Sequence, residues 1–299
     1  MITRYNIGVK KFIKKVFTKK VLIILGSVLL CLGLVFLNAF HSNNNQLKVR
    51  EETITSAKFN KSFNGITIGY FSDLHYGNFI DDGFLDMFKE RMNSYNPDVI
   101  IFGGDLVDHY STLSLDDEER VHLVECLSSF NPKFGKYAVL GNHDLDSEEV
   151  KATISSLLEE SGFKIITNTS TRIYINKNNY FNIVGIDSMS LGEPNIEEAF
   201  ANVDSTRFTF TVTHCPDIFD DIPKTKTDYV LSGHSHGGQI YIPIVSMFER
   251  SYGCEKYYRG KTKDGNTILD ISNGVGRTKT NARLNADAEI VIYKLKAMN

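Results

Sequence analysis

The sequence predicts an α/β domain that follows one long apolar helix near the N-terminus. Residues 21–40 form an almost uncharged apolar run. From residue 65 onward, short apolar runs alternate with segments of helical spacing, a pattern typical of layered α/β domains. Polar residues that can bind metals follow several of these runs. The 299 residues suffice for one large domain or two small ones.

The apolar run has the length of a membrane span. Residues 21–37 carry no charge, and extension to residue 40 gives 20 residues, enough to cross a bilayer as a helix. Seven Lys or Arg residues precede the run and none lies in residues 41–46. The positive-inside rule therefore predicts a basic cytoplasmic tail over residues 1–20, a single-pass anchor in the cell membrane over 21–40, and an extracytoplasmic remainder. A cleaved signal peptide is the alternative, but this run is long and Leu37-Asn38-Ala39 is a poor cleavage site.

The remaining residues divide into a polar stalk predicted over residues 41–63 and a folded domain over 64–299. Residues 1–50 hold nine basic residues and no acidic one, which leaves 24 basic residues against all 36 acidic ones in the rest. Such an acidic domain repels nucleic acid, so no nucleic-acid partner is expected. The four Cys form no CxxC pair, which excludes a zinc ribbon. No protein partner is evident.

Hydrophobic spacing predicts the elements of the domain in order. Helices are predicted over Asp82–Tyr95, over Leu115–Phe130 and after Ser147, a helix-capping residue followed by two Glu. Strands are predicted over Ile66–Phe71, Val99–Phe102, Tyr137–Leu140, Arg172–Ile175, Phe181–Ile186, Phe208–Thr213, Tyr229–Leu231, Gln239–Ile242, Thr267–Ile271 and Glu289–Leu295.

Five polar residues stand at or just after the ends of predicted strands: Asp73, Asp105, Asn142, His214 and His234. Because open α/β sheets gather ligand sites at the carboxyl ends of their strands, we expect these side chains to meet in one cleft. His75 and His236 lie close by in the chain. The seven donors are carboxylate, imidazole and amide groups, which suit Mn, Fe or Zn. They are too many for one tetrahedral ion and suit two ions that share a carboxylate.

The ordered motifs Asp73-x-His75, Gly104-Asp105, Gly141-Asn142-His143-Asp144, His214 and Gly233-His234-Ser235-His236 resemble those of the calcineurin-like metallophosphoesterase superfamily. The continuation Gly237-Gly238-Gln239 looks like its bacterial membrane-associated branch, as does Gly274-Val275-Gly276 followed by Arg283. Ala288 stands where that branch usually has Pro. The resemblance covers roughly residues 64–296.

This resemblance implies a four-layer sandwich of two mixed β-sheets flanked by helices. It implies one divalent transition-metal ion, Mn favoured, on Asp73, His75 and His236, a second on Asn142, His214 and His234, and Asp105 as the bridge. It implies phosphoester hydrolysis by metal-activated hydroxide. His143 would protonate the leaving oxygen, oriented by Asp144. Arg283 is expected to bind the substrate phosphate.

Two other functional hypotheses compete with a metal-dependent phosphoesterase. A membrane-tethered scaffold that keeps the fold without turnover is disfavoured by the intact ligand set. An acyl or peptide hydrolase is disfavoured because the sequence has no Gly-x-Ser-x-Gly elbow and no His-Glu-x-x-His helix. The substrate stays open among phosphomonoesters, phosphodiesters and pyrophosphates. The tether favours lipid-linked or cell-envelope phosphates.

Overall fold

A computed structural model describes residues 2–42, 46–77, 79–108, 115, 117–243 and 250–298, without the side chains of residues 2–16, 41 and 42. Met1 of the predicted tail, residues 43–45 of the predicted stalk and residue 116 of a predicted helix lie outside the described residues. The helices are α1 (Ile2–Leu37), α2 (Asp82–Tyr95), α3 (Asp117–Ser128), α4 (Glu148–Glu160) and α5 (Ile196–Ala199). The strands are β1 (Lys48–Ser56), β2 (Thr67–Phe71), β3 (Val99–Phe102), β4 (Lys136–Ala138), β5 (Phe163–Ile165), β6 (Thr169–Asn176), β7 (Asn179–Gly185), β8 (Thr209–Val212), β9 (Tyr229–Ser232), β10 (Gly260–Asp264), β11 (Thr267–Ile271) and β12 (Glu289–Ala297).

The described strands form two six-stranded sheets. The first has the order β1-β12-β2-β3-β4-β5 and the second the order β10-β11-β9-β8-β7-β6. Most neighbours are parallel, but β12 runs antiparallel to β2, β6 to β7 and β10 to β11. Both sheets are therefore mixed, as the resemblance implies.

The alternation of side chains along β3 shows how the layers stack. Ile100 and Phe102 belong to a core shared with helices α2, α3 and α4. Val99 and Ile101 belong to a second core that lies between the two sheets. A third core joins the other face of the second sheet to α5 and the 3-10 turn Pro216–Asp220. The predicted four-layer sandwich is confirmed.

Local capping explains why the predicted helices begin where they do. The Asp81 side chain accepts a hydrogen bond from the backbone N–H of Phe84 and so caps α2, whose bounds are those predicted. The Ser147 side chain caps α4 in the same way through Val150 N–H. These side chains satisfy N–H groups that the first turn of a helix leaves without a partner.

The strand predicted over Gln239–Ile242 is wrong. Gln239 has a φ of 45°, in the left-handed region, and within the described part of the chain the only strand pairing of this segment is an isolated bridge between Ile240 and Leu284. The Gln239 side chain donates to the carbonyls of Thr278 and Thr280, at 2.9 and 3.0 Å. A short apolar run after two glycines has too little length to specify a strand against such contacts.

The predicted stalk is too long, because β1 within it belongs to the first sheet. β1 pairs in parallel with β12 from Lys48 to Ser56. Its polar composition suits an edge strand that faces water on one side. Arg50 of β1 reaches inward to Asp270 at 3.0 Å and Glu289 at 3.2 Å. The folded domain thus includes residues from Lys48 onward.

Helix α1 and the π-helical turn that follows it, Asn38–Ser42, contain a segment, Phe17–Phe40, that is long and apolar enough to cross a membrane. None of the most apolar stretch of this segment is buried inside the protein. At about 1.5 Å per residue its 24 residues extend about 36 Å, against a hydrocarbon core of about 30 Å.

Candidate metal centre

The predicted ligands stand at the carboxyl ends of strands from both sheets. Asp73 lies two residues beyond β2 and Asp105 three residues beyond β3. In the second sheet His214 and His234 each lie two residues beyond their strands, β8 and β9. Parallel neighbours end on the same side of a sheet. The fold therefore brings side chains from distant parts of the chain to one place between the two sheets.

The backbone at this place is unusual. Five of the predicted ligands have a positive φ: Asp73 (53°), His75 (46°), Asp105 (61°), His234 (68°) and His236 (50°). L-residues in this left-handed region cost on the order of 1 kcal/mol each. Such strain persists where surrounding structure fixes it, and it is concentrated at functional sites. The sequence motifs gave no indication of this strain.

The first group of donors comprises Asp73, His75 and His236. His236 Nε2 lies 3.1 Å from His75 Nε2 and 3.6 Å from Asp73 Oδ1. Ligand atoms of the three residues all lie within 4.8 Å of one another, and all three residues are buried. This spacing suits a single ion held by one carboxylate and two imidazoles.

The second group comprises Asp105, His214 and His234. His214 Nε2 lies 3.1 Å from Asp105 Oδ2, and ligand atoms of the three residues again lie within 4.8 Å of one another. The opposite nitrogen, His214 Nδ1, lies 2.8 Å from the Gly103 carbonyl oxygen. His234 Nε2 lies 2.9 Å from the carbonyl oxygen of Tyr252. If these nitrogens carry the protons, each ring keeps its other nitrogen available for a metal.

Asp105 lies between the two groups. Its Oδ2 atom is 3.1 Å from His214 Nε2 and 3.6 Å from His75 Nε2. Asn142, on the loop after β4, has a buried Oδ1 atom with no hydrogen-bond partner among the described residues. A buried amide oxygen without a partner is costly, and a cation beside it would remove that cost. The donor set therefore fits two divalent ions.

The family model for calcineurin-like phosphoesterases matches residues 66–238, more than half of the chain. The chain belongs to this family. The match begins at the residue before β2 and ends within the Gly233–Gln239 motif, so it includes all seven predicted ligands. The predicted superfamily is confirmed.

Relatives of this metallophosphoesterase come from several bacteria. The chain is 28% identical to the uncharacterized metallophosphoesterase YkuE of Bacillus subtilis, over 85% of this chain and 87% of the relative. It is 30% identical to an uncharacterized metallophosphoesterase of Aquifex aeolicus, over 88% of this chain and 97% of the relative. It is 25% identical to the UDP-2,3-diacylglucosamine pyrophosphatase LpxG of Chlamydia muridarum, over 70% of this chain and 75% of the relative.

Burial keeps three imidazoles of the metallophosphoesterase neutral. It lowers the pKa of His75 to about 3 and that of His234 to about 4, and it also lowers the pKa of His236. His214 differs: burial lowers its pKa, but the Asp105 and Asp73 carboxylates beside it together hold the pKa well above the ordinary value. Burial raises the pKa of Asp73 to about 6. Neutral imidazole is the form that binds metals.

His143 and Asp144 follow Asn142 in a 3-10 turn. The His143 ring centroid lies 4.9 Å from that of His75, and its backbone N–H donates to Asp105 Oδ1 at 2.9 Å. We expected Asp144 to orient the ring of His143, but the described hydrogen bonds of Asp144 go to other groups. Its carboxylate accepts from the backbone N–H groups of Asp105, Leu106 and Gly141. Asp144 thus ties together the two loops that carry Asp105 and Asn142.

The expected contact of Arg283 with substrate stays a prediction, and the structure shows which protein groups this side chain contacts. Its side chain is fully buried, and its guanidinium donates to the backbone carbonyls of Asn273, Gly274, Gly276 and Ala286. Its Nη2 atom also lies 3.5 Å from His236 Nδ1. Arg283 supports the loop beside Asp73 and the ring of His236, since its donors are directed at protein carbonyls. Sequence alone does not separate a buried arginine of this kind from a phosphate-binding one.

Two features of the site had weak or no sequence signal. Gly104 has a φ of 97°, and a Cβ there would lie 2.8 Å from His214 Nδ1, so the loop needs glycine. The Gly-Gly-Asp motif could have indicated this close approach. No sequence signal could have indicated the Tyr252 carbonyl that faces His234, because any residue offers a backbone carbonyl.

Proposed function

We propose that the chain is a membrane-anchored phosphoesterase that uses two divalent transition-metal ions, Mn favoured, to hydrolyse phosphate ester or pyrophosphate bonds. The observation that carries this proposal is the position of Asp105, whose carboxylate lies within 4 Å of imidazoles from both donor groups. A carboxylate shared in this way is typical of two-metal hydrolytic sites. We assign one ion to Asp73, His75 and His236 and the other to Asn142, His214 and His234, with Asp105 as the bridge.

When bound, such ions polarise phosphoryl oxygens and lower the pKa of water. The protein residues would do the rest. The buried carboxylates and imidazoles keep the ions in place, and the hydrogen bonds of Asp144 hold the Asp105 and Asn142 loops together. We propose that His143 protonates the leaving oxygen, which contributes about 10²–10⁴-fold in such reactions. Its ring lies beside His75 at the edge of the first donor group.

Two observations support a retained membrane anchor. Phe17–Phe40 has the length and composition of a span, and the carbonyl of Ala39 accepts a hydrogen bond from Arg283 N–H at 3.0 Å. Cleavage as a signal peptide would remove this contact. The basic residues before the span favour a cytoplasmic tail and an extracytoplasmic domain. The LpxG relative, a pyrophosphatase of a diacylated sugar nucleotide by its name, supports lipid-linked or cell-envelope substrates.

The test combines metal analysis with a substrate panel on the full-length chain in detergent. We expect close to two Mn²⁺ per chain after reconstitution. The reconstituted protein should hydrolyse aryl phosphate mono- or diesters or a sugar-nucleotide pyrophosphate. Chelation should remove the metal and abolish the hydrolysis. Asp105→Asn should lower metal content and rate together. Asp270→Asn is the matched control, because Asp270 is equally buried but lies within the second sheet, bonded to Tyr229 and Tyr293. No bound metal after reconstitution would overturn the proposal.

A further inference from the structure

The C-terminal end of the apolar helix is attached to the catalytic domain. Most residues of the span expose large apolar side chains, among them Phe36 and Leu37, whereas Ala39 is only 4% exposed. The Ala39 carbonyl accepts the hydrogen bond from Arg283 N–H, at 3.0 Å. The helix end therefore packs on the segment that carries Arg283.

One residue connects this contact to the metal centre. The side chain of Arg283 extends from the Ala39 contact to within 3.5 Å of His236 Nδ1. His236 Nε2 in turn lies 3.6 Å from Asp73 Oδ1. The end of the membrane span and a predicted metal ligand are thus separated by the length of one arginine side chain.

A cluster of tyrosine and arginine side chains surrounds the same segment. We call Tyr241, Ile242, Arg250, Tyr258 and Arg259 the interfacial patch. The Arg259 guanidinium lies 3.8 Å from the Tyr241 ring centroid, that of Arg250 lies 4.0 Å from the Tyr258 centroid, and the two rings are 6.3 Å apart. Ile242 is 43% exposed.

The interfacial patch is joined to the helix end through Asn285, two residues after Arg283. Arg259 Nη2 donates to the Asn285 carbonyl, and the Asn285 side chain donates to the Tyr241 carbonyl, both at 3.0 Å. The backbone N–H of Tyr241 donates to the Leu284 carbonyl at 2.8 Å. These contacts place the patch and Ala39 against one short segment, residues 283–285, and the side of the domain formed around this segment is the face considered next.

We propose that this face rests on the head groups of the membrane in which the helix is embedded, with the interfacial patch as the contact surface. Tyrosine rings and cation-bearing side chains are typical of protein surfaces at the membrane–water interface. Arginine is also attracted to anionic head groups, and each such residue near the surface strengthens membrane binding about fivefold. The head-group layer on each side of the hydrocarbon core is about 5–7 Å thick. A metal centre reached from Ala39 through one arginine side chain would therefore lie close to the head-group layer.

This docking, together with the proposed function, narrows the substrate to a phosphate carried in the plane of that membrane. A phosphate ester or pyrophosphate on a lipid would meet the metal centre without leaving the bilayer. A domain raised on a flexible stalk, as the composition of residues 41–63 suggests before β1 is placed in the sheet, would instead meet soluble phosphates as readily as membrane-bound ones. The distance of the patch from the bilayer distinguishes the two arrangements.

The absence of tryptophan from the chain makes this distance measurable. We would introduce a single reporter by Ile242→Trp into the full-length chain and reconstitute it in vesicles that contain anionic phosphatidylglycerol. The vesicles would carry lipids brominated near the head-group end of the acyl chain, which quench tryptophan at short range. Tyr174→Trp is the matched control, because Tyr174 is also exposed but lies on β6, the edge strand of the second sheet.

We expect brominated lipid to remove most of the fluorescence of Ile242→Trp and little of that of Tyr174→Trp. Arg250→Gln and Arg259→Gln together should restore much of the lost fluorescence. Arg172→Gln, which alters a similar Arg–Tyr stack beside Tyr180, should not. Equal, weak quenching of both reporters would overturn the docking. Quenching of Ile242→Trp that is unchanged by the Arg250→Gln and Arg259→Gln substitutions would overturn it as well. The readout needs no turnover, so docking without hydrolysis would refute the proposed function alone.

Discussion

The carboxylate of Asp144 accepts a hydrogen bond from the backbone N–H of Asp105 at 2.7 Å. Its other described bonds go to the backbone N–H groups of Leu106 and Gly141, both at 2.9 Å. Asp144 is fully buried, so these donors have no access to water if the carboxylate is lost. One side chain thus fixes the distance between the proposed bridging ligand and the loop that carries Asn142.

From this relationship we predict that Asp144→Ala lowers the free energy of unfolding by about 1–3 kcal/mol, the cost of leaving buried donors without partners. It should also weaken metal binding, because the Asp105 and Asn142 loops would move apart. Thermal unfolding and metal titration measure the two effects. Asp146→Ala, in an exposed position of the same turn, is the control. Unchanged metal affinity in Asp144→Ala would contradict the positioning role.

The proposed role of His143 predicts that chemistry can be separated from metal binding. His143→Asn should keep both metals and fold normally, while kcat falls by about 10²–10⁴, the range for loss of a general acid. The loss should shrink for substrates with acidic leaving groups, because these need little protonation. The measurement is metal content and kcat on good and poor leaving groups. Metal loss like that of Asp105→Asn would instead make His143 a ligand.

For Arg283 the structure predicts an effect on the metal centre rather than on substrate affinity. Arg283→Lys removes most of the hydrogen bonds to the carbonyls around residues 273–276 and the support of His236. We expect a loss of about 1–3 kcal/mol in unfolding free energy, weaker metal binding, and an unchanged KM for a soluble ester at saturating metal. Lys279→Gln, an exposed change on the same segment, serves as the control. A raised KM alone would restore the substrate-binding role.

Sequence reasoning was most successful where the periodic pattern was long or the strand was fully buried. The bounds of α2, β3 and β11 are those expected, because α2 has a clear helical period, the two strands are short apolar runs, and turn-forming residues flank all three. The rule that ligands follow parallel strands correctly brought Asp73, Asp105 and the histidines together. The motif order then indicated the family.

The failures have a common physical cause. β1 and β10 are edge strands of polar composition, and their pairing depends on distant partners, β12 and β11. Their own residues therefore resemble a stalk and a loop. The burial of Arg283 was not predicted, because it depends on carbonyls that the fold brings to the side chain. Positive φ values at five predicted ligands likewise arise from tertiary contacts and leave no pattern in the sequence.

The histidines of the second donor group should differ in how many protons metal binding displaces. Asp105 and Asp73 lie 3.1 and 4.0 Å from His214 Nε2, and against the effect of burial the two carboxylates together hold the pKa of His214 well above its ordinary value. Burial lowers the pKa of His234 to about 4. We therefore expect the metal-free chain to carry a charged imidazolium at His214 and a neutral imidazole at His234.

A metal that binds His214 must displace this proton, because only the neutral ring offers a lone pair. Metal affinity should then rise with pH, by about tenfold per pH unit below the folded pKa of His214, and level off above it. Asp73 contributes little to the proton release at pH 7.5, because its pKa of about 6 leaves the carboxylate already ionised. Calorimetric titration with Mn²⁺ in buffers of different protonation enthalpy should show release of about one proton. His214→Gln should abolish this release, whereas His234→Gln should weaken binding and retain it. The reverse pattern would place the displaced proton on His234 and contradict the assigned charge states.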